Sequence, residues 1–219
     1  MYRIAAASLL LACALQAETA AERLGESAEV FKEIMAVSDR AIPQDLLHKA
    51  ECIVIVPGMK KGAFILGANF GRGFFSCRNE GKGWSAPAAI RVEGGSVGFQ
   101  IGGSETDVVM LVLNKRGAQK LMSSKFTLGG DASVAAGPVG RTSTAETDAL
   151  MHAEMLSWSR SRGVFAGISL KGATLRSDDE ANKELYGSVM ETQAIIANAT
   201  APESASALIA QLNKYSARK

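Results

Sequence analysis

Asp131-Ala-Ser-Val-Ala-Ala-Gly-Pro-Val-Gly-Arg141 and Ser159-Arg-Ser-Arg-Gly-Val-Phe-Ala-Gly-Ile-Ser-Leu170 stand inside a longer run, Lys49 to Leu175, of short apolar segments separated by glycines. That run decides the fold. Cys52-Ile-Val-Ile-Val56 is β-branched and is followed by Pro57-Gly58, which predicts a strand ending there. Gly62–Ala68 and Gly71–Arg78 read as two strands with a tight turn at Asn69. Ala88–Glu93, Val97–Ile101 and Asp107–Leu113 continue the pattern. Short strands with short links predict an antiparallel sheet that curls or closes, with glycines at bends and close backbone approaches.

Helices flank this run. Leu24, Ala28, Phe31 and Met35 fall on one face of a helix over residues 20–37, whose charges are mostly acidic. Pro43 suits the first turn of a short helix reaching Ala50. Asn114 caps a helix over 115–123. Asp131–Ala136 reads as strand, and 153–160 pairs with 164–170. Ser177-Asp-Asp-Glu180 and Thr200-Ala-Pro-Glu203 are capping boxes. The second precedes an apolar face of Ala205, Leu208, Ile209 and Leu212, and residues 187–199 between the two helices read as a loose linker. The fold class is α+β, a curved or barrel-like antiparallel sheet with packed helices.

The chain has 219 residues, 47% apolar and 21% charged, with a formal charge of +2. That is the composition of a folded domain, and the charge is too small to imply nucleic acid as a partner. Met1-Tyr2-Arg3 followed by the apolar run Ile4–Leu15 reads as a signal peptide cleaved after Ala17, with a lipidated Cys13 as the alternative. The mature chain is then expected in the periplasm or cell envelope. Export would leave Cys52 and Cys77 to form a disulfide; the alternative is two buried free thiols.

Chemistry-bearing groups are sparse. There are two histidines, and neither a paired metal-ligand motif nor a phosphate loop, so no metal and no cofactor is expected. Gly94-Gly-Ser-Val-Gly98 matches a nucleophile elbow, and Asp107, Asp131 or Asp148 with His152 would complete a triad around Ser96. That motif needs a helix directly after the serine, where this sequence alternates as a strand. Residues 49–91 hold seven basic side chains (Lys49, Lys60, Lys61, Arg72, Arg78, Lys82, Arg91) against two acidic ones. Basic side chains near an anionic membrane gain about 1 kcal/mol each.

Four separated strings carry a resemblance: Pro57-Gly-Met-Lys-Lys-Gly-Ala-Phe64, the 131–141 string, Ser157–Leu170 and Asn182-Lys-Glu-Leu-Tyr-Gly187. Together they resemble the SYLF lipid-binding domain family over about Asp39–Gly187. The organisation implied is a signal peptide over 1–17, an amphipathic helix over 18–38, a SYLF-like domain over 39–187 and a C-terminal linker and helix over 188–219. The resemblance implies a curved antiparallel sheet with helices against it. Eukaryotic relatives bind phosphoinositides and some bind actin filaments; bacterial relatives are exported envelope proteins or lipoproteins. In the eukaryotic members a basic amphipathic N-terminal segment contributes to lipid binding. Here that helix is acidic, which moves the lipid-binding expectation to Lys60 and Lys61 first, with Arg72 as the secondary candidate. The expected function is non-enzymatic: binding of an anionic phospholipid or membrane surface, with an envelope structural or protein-interaction module as the alternative and a serine hydrolase as a remote one.

Overall fold

Cys52 to Val56 is apolar at every position because both faces of its strand are covered. Cys52, Val54 and Val56 enter one core cluster. Ile53 and Ile55 enter another on the opposite face. The computed structural model describes residues 18–36, 42–63, 67–79, 83–96, 104–139, 152–161 and 164–216. Among these, the strands are β1 (Cys52–Ala63), β2 (Gly67–Asn79), β3 (Gly83–Trp84), β4 (Ala88–Ser96), β5 (Ser104–Val112), β6 (Lys125–Thr127), β7 (Val134–Ala136), β8 (Met155–Ser161), β9 (Val164–Gly167) and β10 (Thr174–Ser177). The helices are α1 (Ala20–Ala36), α2 (Gln44–Lys49), α3 (Lys115–Leu121), α4 (Asp179–Tyr186), α5 (Thr192–Asn198) and α6 (Ser206–Ser216), the last preceded by a short 3-10 turn, Glu203–Ala205.

The sheet order is β6-β10-β4-β2-β1-β5-β8-β7, with β3 on β2 and β9 on β8. Its two end strands, β6 and β7, are consecutive in the chain. Residues 128–133 join them, and Leu128 and Ala132 are bridged. Six residues reach at most about 20 Å, so the sheet must curl to bring its ends together. The result is a half-barrel. The inner cluster holds Val54, Met110, Ile90 and Leu175. The outer face packs Phe74, Val109 and Trp158 against Leu24 and Phe31 of α1 and Leu208 and Leu212 of α6. Pairing is antiparallel except between β7 and β8, which run parallel.

Several local expectations are corrected. Pro57-Gly58 does not end β1. It sits in a bulge, where the register with both neighbours shifts; Gly58 takes φ 53° there, and a proline lacking its N–H is tolerated at such a break. The strand then continues, and β2 runs through Asn69 without a turn, because Asn69 pairs with Lys61 and with Gly94. The cap of α4 is Asp178, not Ser177: its carboxylate accepts from Ala181 N. Pro202 starts the 3-10 turn with no side-chain cap, so the second box does not form as read. Residues 131–133 precede β7 rather than extend it. The supposed loose linker contains α5, whose Ile195 is fully buried and Ile196 nearly so. Val97–Ile101 lies outside the described residues.

Cys52 and Cys77 face each other across β1 and β2 and are disulfide-bonded. Arg78 N donates to Glu51 O at 2.8 Å on the outer side of this pair. That marks the cysteines as a non-hydrogen-bonded pair, the closer of the two antiparallel spacings. The bridge staples two central strands on the inner face.

Candidate binding surface

Lys60 is exposed. It stands opposite Phe70 on β2 and Glu105 on β5. Phe70 is 46% exposed. Val164, 61% exposed, starts β9 opposite Ser161, beside the Asp107–Arg160 pairing that joins β8 to β5. Lys60, Phe70 and Val164 therefore share one end of the sheet. Lys61 is placed in β1 opposite Asn69 and Ser104, but its side chain lies outside the description. Arg72 points to the same face as Phe70, two residues on. Its guanidinium donates to both carboxylate oxygens of Asp178, at 2.5 and 2.9 Å. Asp178 is fully buried, and this bond, together with its charge, raises the Arg72 pKa. Arg72 is thus engaged inside the protein.

Register reveals a basic row that counting along the sequence misses. Arg72 pairs with Arg91, Arg91 with Arg176, and Arg176 with Lys125, across β2, β4, β10 and β6. Arg91, Arg176 and Lys125 line a cleft of about 400 Å³ with Ser124, Met190 and Thr192. The signal was in the strand alternation: Arg91 lies between Ile90 and Val92, Arg176 follows Leu175 and Lys125 precedes Phe126, all apolar residues of the inner face. Without the pairing of distant strands, nothing in the sequence brings these three together.

A second cleft, about 610 Å³, lies between α1 and the sheet. Among the described residues, Glu26, Glu29, Glu33, Glu105 and Asp107 line it with a single cation, Arg160. Arg160 bridges Asp107, at 2.8 Å, and Glu33, and so ties α1 to β5 and β8. Loss of water around Glu26 pushes its carboxyl up to about 7, helped by a hydrogen bond and charge from Glu18. Burial likewise raises Asp107, with Glu105 adding to it, against a hydrogen bond from Gly58 N that lowers it.

The elements of the triad stand apart. Ser96 closes β4 opposite Gly67, at the Lys60 end of the sheet. His152 precedes β8, whose Met155 pairs with Val112 at the opposite end. Asp107 is held by Arg160, and Asp131 accepts from Thr127 N at 2.7 Å; Asp148 lies outside the described residues. His152 instead lines a cleft with Asp131, Ser133 and Glu154. Ser133 Oγ there accepts from Glu154 N and donates to the His152 carbonyl, at 2.9 and 3.1 Å. That hydroxyl is held by backbone and by the Glu154 carboxylate at 3.4 Å, not by the imidazole. Among the described residues no group of three or more His, Cys, Asp or Glu is placed to hold a metal ion, and no helix is long and apolar enough to cross a membrane.

Gly137, Trp158 and Gly167 meet in space. A Cβ on Gly137 would lie 2.0 Å from the Trp158 ring, and one on Gly167 would lie 2.2 Å from the Gly137 carbonyl oxygen. Trp158 is fully buried, and its Nε1 donates to Pro138 O at 2.9 Å. Ser157 Oγ donates to Ile168 O at 2.7 Å. The unusual strings are a packing lock between β7, β8 and β9.

Residues 93–215 match the family model described as Ysc84, Las17-binding protein actin regulator. The chain belongs to the Ysc84 family. This is the SYLF family that the four strings resemble. Among Ysc84 relatives, the SH3 domain-containing YSC84-like protein 1 of Xenopus laevis is 34% identical over 168 residues, covering 74% of this chain and 50% of that protein. An SH3 domain-containing protein of Schizosaccharomyces pombe is 35% identical over 180 residues, covering 80% and 42%. The LAS seventeen-binding protein 3 of Saccharomyces cerevisiae is 35% identical over 169 residues, covering 75% and 36%. The chain spans half or less of the length of these curated relatives.

Proposed function

We propose that this Ysc84-family chain is a non-catalytic binding domain of the bacterial cell envelope that adheres to anionic phospholipid surfaces. The observation that carries the reading is the end of the sheet where Lys60 stands beside Phe70. Among the described residues three large apolar side chains are exposed, Phe70, Val164 and Val189, and two of the three lie at this end. In the sequence, Phe64, Ile65 and Leu66 join β1 to β2, and Val97, Phe99 and Ile101 stand between β4 and β5; these connecting residues lie outside the described ones. Exposed Phe70 and Val164 with Lys60 beside them suit the boundary between headgroups and acyl chains.

Magnitudes favour the aromatic over the charge. Lys60 near an anionic surface gains about 1 kcal/mol, and Glu105 opposite it offsets part of that. Phe70, 46% exposed, has roughly 90 Å² to bury, worth about 2 kcal/mol. Export is part of the proposal: the Cys52–Cys77 disulfide suits an oxidising compartment, where the surfaces on offer are phosphatidylglycerol and cardiolipin. Co-sedimentation with phosphatidylglycerol vesicles at low and high salt tests it. Pelleting at low salt is expected, weakened but not abolished by high salt; no pelleting at low salt ends the proposal.

A protein-interaction module is the second reading, favoured by the Las17-binding name of the yeast relative. The C-terminal helix α6 is not a free arm for it, since Leu208 and Leu212 are buried in the core. Recovery of a stoichiometric protein partner by a vesicle-inert domain would favour it.

A further inference from the structure

We propose that the cleft flanked by Arg91, Arg176 and Lys125 binds a phosphate-type oxyanion, carried either by a small soluble molecule or by a lipid headgroup. The site goes beyond the Lys60 surface and does not depend on it. Like charges directly opposite each other on neighbouring strands are destabilising, yet the sheet places four basic side chains in one row, Arg72, Arg91, Arg176 and Lys125. Two carboxylates answer them. Asp178 is already chelated by Arg72 and lies 4.0 Å from Arg91 Nε. Glu93 lies 3.4 Å from Arg176 Nε. Neither arrangement makes a hydrogen bond to those two nitrogens: among the described residues Arg91 Nε and Arg176 Nε are buried with no acceptor. Among the described residues Lys125, exposed on an end strand, has no ion-pair partner.

Leaving a buried charged donor unsatisfied is costly, more so than leaving a neutral one. The two arginine side chains are 34% and 42% exposed although their Nε atoms are buried, so a tetrahedral oxyanion in the cleft would accept from their exposed guanidinium ends, the charge-assisted bonding that favours arginine over lysine for phosphate. Ser124 and Thr192 line the same cleft, and about 400 Å³ is room for one such group and a short substituent. Asp179 and Glu191 also line the cleft. They oppose a long polyanion and favour a single phosphate ester; the Asp179 carboxylate meanwhile accepts from Ser177 Oγ at 2.5 Å.

The test is calorimetric titration with inorganic phosphate at fixed ionic strength, then with glycerol phosphate, then with phosphatidylglycerol vesicles. Wild type is expected to bind one phosphate saturably, about tenfold more weakly in Arg176→Gln and in Lys125→Gln and equally well in Lys60→Gln. Lys125 is exposed on an end strand, so its variant remains informative should Arg176→Gln fail to fold. Glycerol phosphate binding as tightly as phosphate assigns a soluble ligand. Binding that appears only with vesicles and is lost in Lys125→Gln assigns a headgroup. Phosphate affinity unchanged in both cleft variants, or no saturable binding to phosphate and no Lys125-dependent binding to vesicles, overturns the proposal. Vesicle binding that depends on Lys60 and Phe70 but not on Lys125, with no Lys125-dependent binding of phosphate either, overturns this site and leaves the membrane reading standing.

Discussion

Reducing the Cys52–Cys77 bond should cost the protein a large share of its stability. The bond closes a loop with a sequence separation of 25. The chain-entropy relation for such a loop gives about 3.5 kcal/mol at 25 °C. The cysteines are an inner-face pair in the middle of the sheet, with exposures of 0% and 5%, so their side chains stay packed after reduction and little is added for a cavity. For a chain of this length about 3.5 kcal/mol corresponds to a fall in Tm of roughly 7–14 °C. The assay is equilibrium urea unfolding of protein refolded with and without reductant, followed by tryptophan fluorescence. Trp158 and Trp84 are both buried and report the outer core. The midpoint should drop with little change in the native spectrum, because the β1–β2 ladder around the pair remains. Unfolding free energies within about 0.5 kcal/mol of each other would refute the staple. Protein purified without reductant that carries two alkylatable thiols at Cys52 and Cys77 would refute the bond itself.

Asp178→Asn keeps a capping side chain for α4 but strips the buried partner of Arg72, and should destabilise by about 3–5 kcal/mol in the same unfolding assay. Gly137→Ala drives a methyl into the Trp158 ring and should cost about 2 kcal/mol or more, with a shifted indole spectrum; an unperturbed variant would break the packing lock. The Glu26 carboxyl is raised in the folded state to about 7 from 4.5, so the fold favours its protonated form. The stability this confers is full below about 4.5 and is lost as pH rises through 7, a small effect because the group is exposed. Unfolding free energies between pH 4.5 and 8 should show that decline, and Glu26→Gln should flatten it.

The architecture was legible where physics is local. The α1 face of Leu24, Ala28, Phe31 and Met35 is buried as its spacing requires, and Asn114 caps α3 through Gly117 N. Local signals failed where pairing overrode them. Pro57-Gly58 is a stop signal in isolation, but two neighbouring strands absorb it as a bulge. Residues 187–199 look loose because the apolar partners of Ile195 and Ile196 lie far away in the chain. The site was less legible than the fold. Lys60 could be read as a surface cation, whereas the chelation of Arg72 by a residue 106 positions away and the alignment of Arg91 with Arg176 and Lys125 exist only once distant strands are in register.

Equilibrium binding of the wild type and of Phe70→Ser with Lys60→Glu to phosphatidylglycerol vesicles tests the central claim most directly. The double variant should bind at least thirtyfold more weakly, from about 2 kcal/mol of lost aromatic burial plus a reversed charge, with its unfolding midpoint unchanged. Equal binding by the two proteins would mean that this end of the sheet is not the surface that meets the membrane.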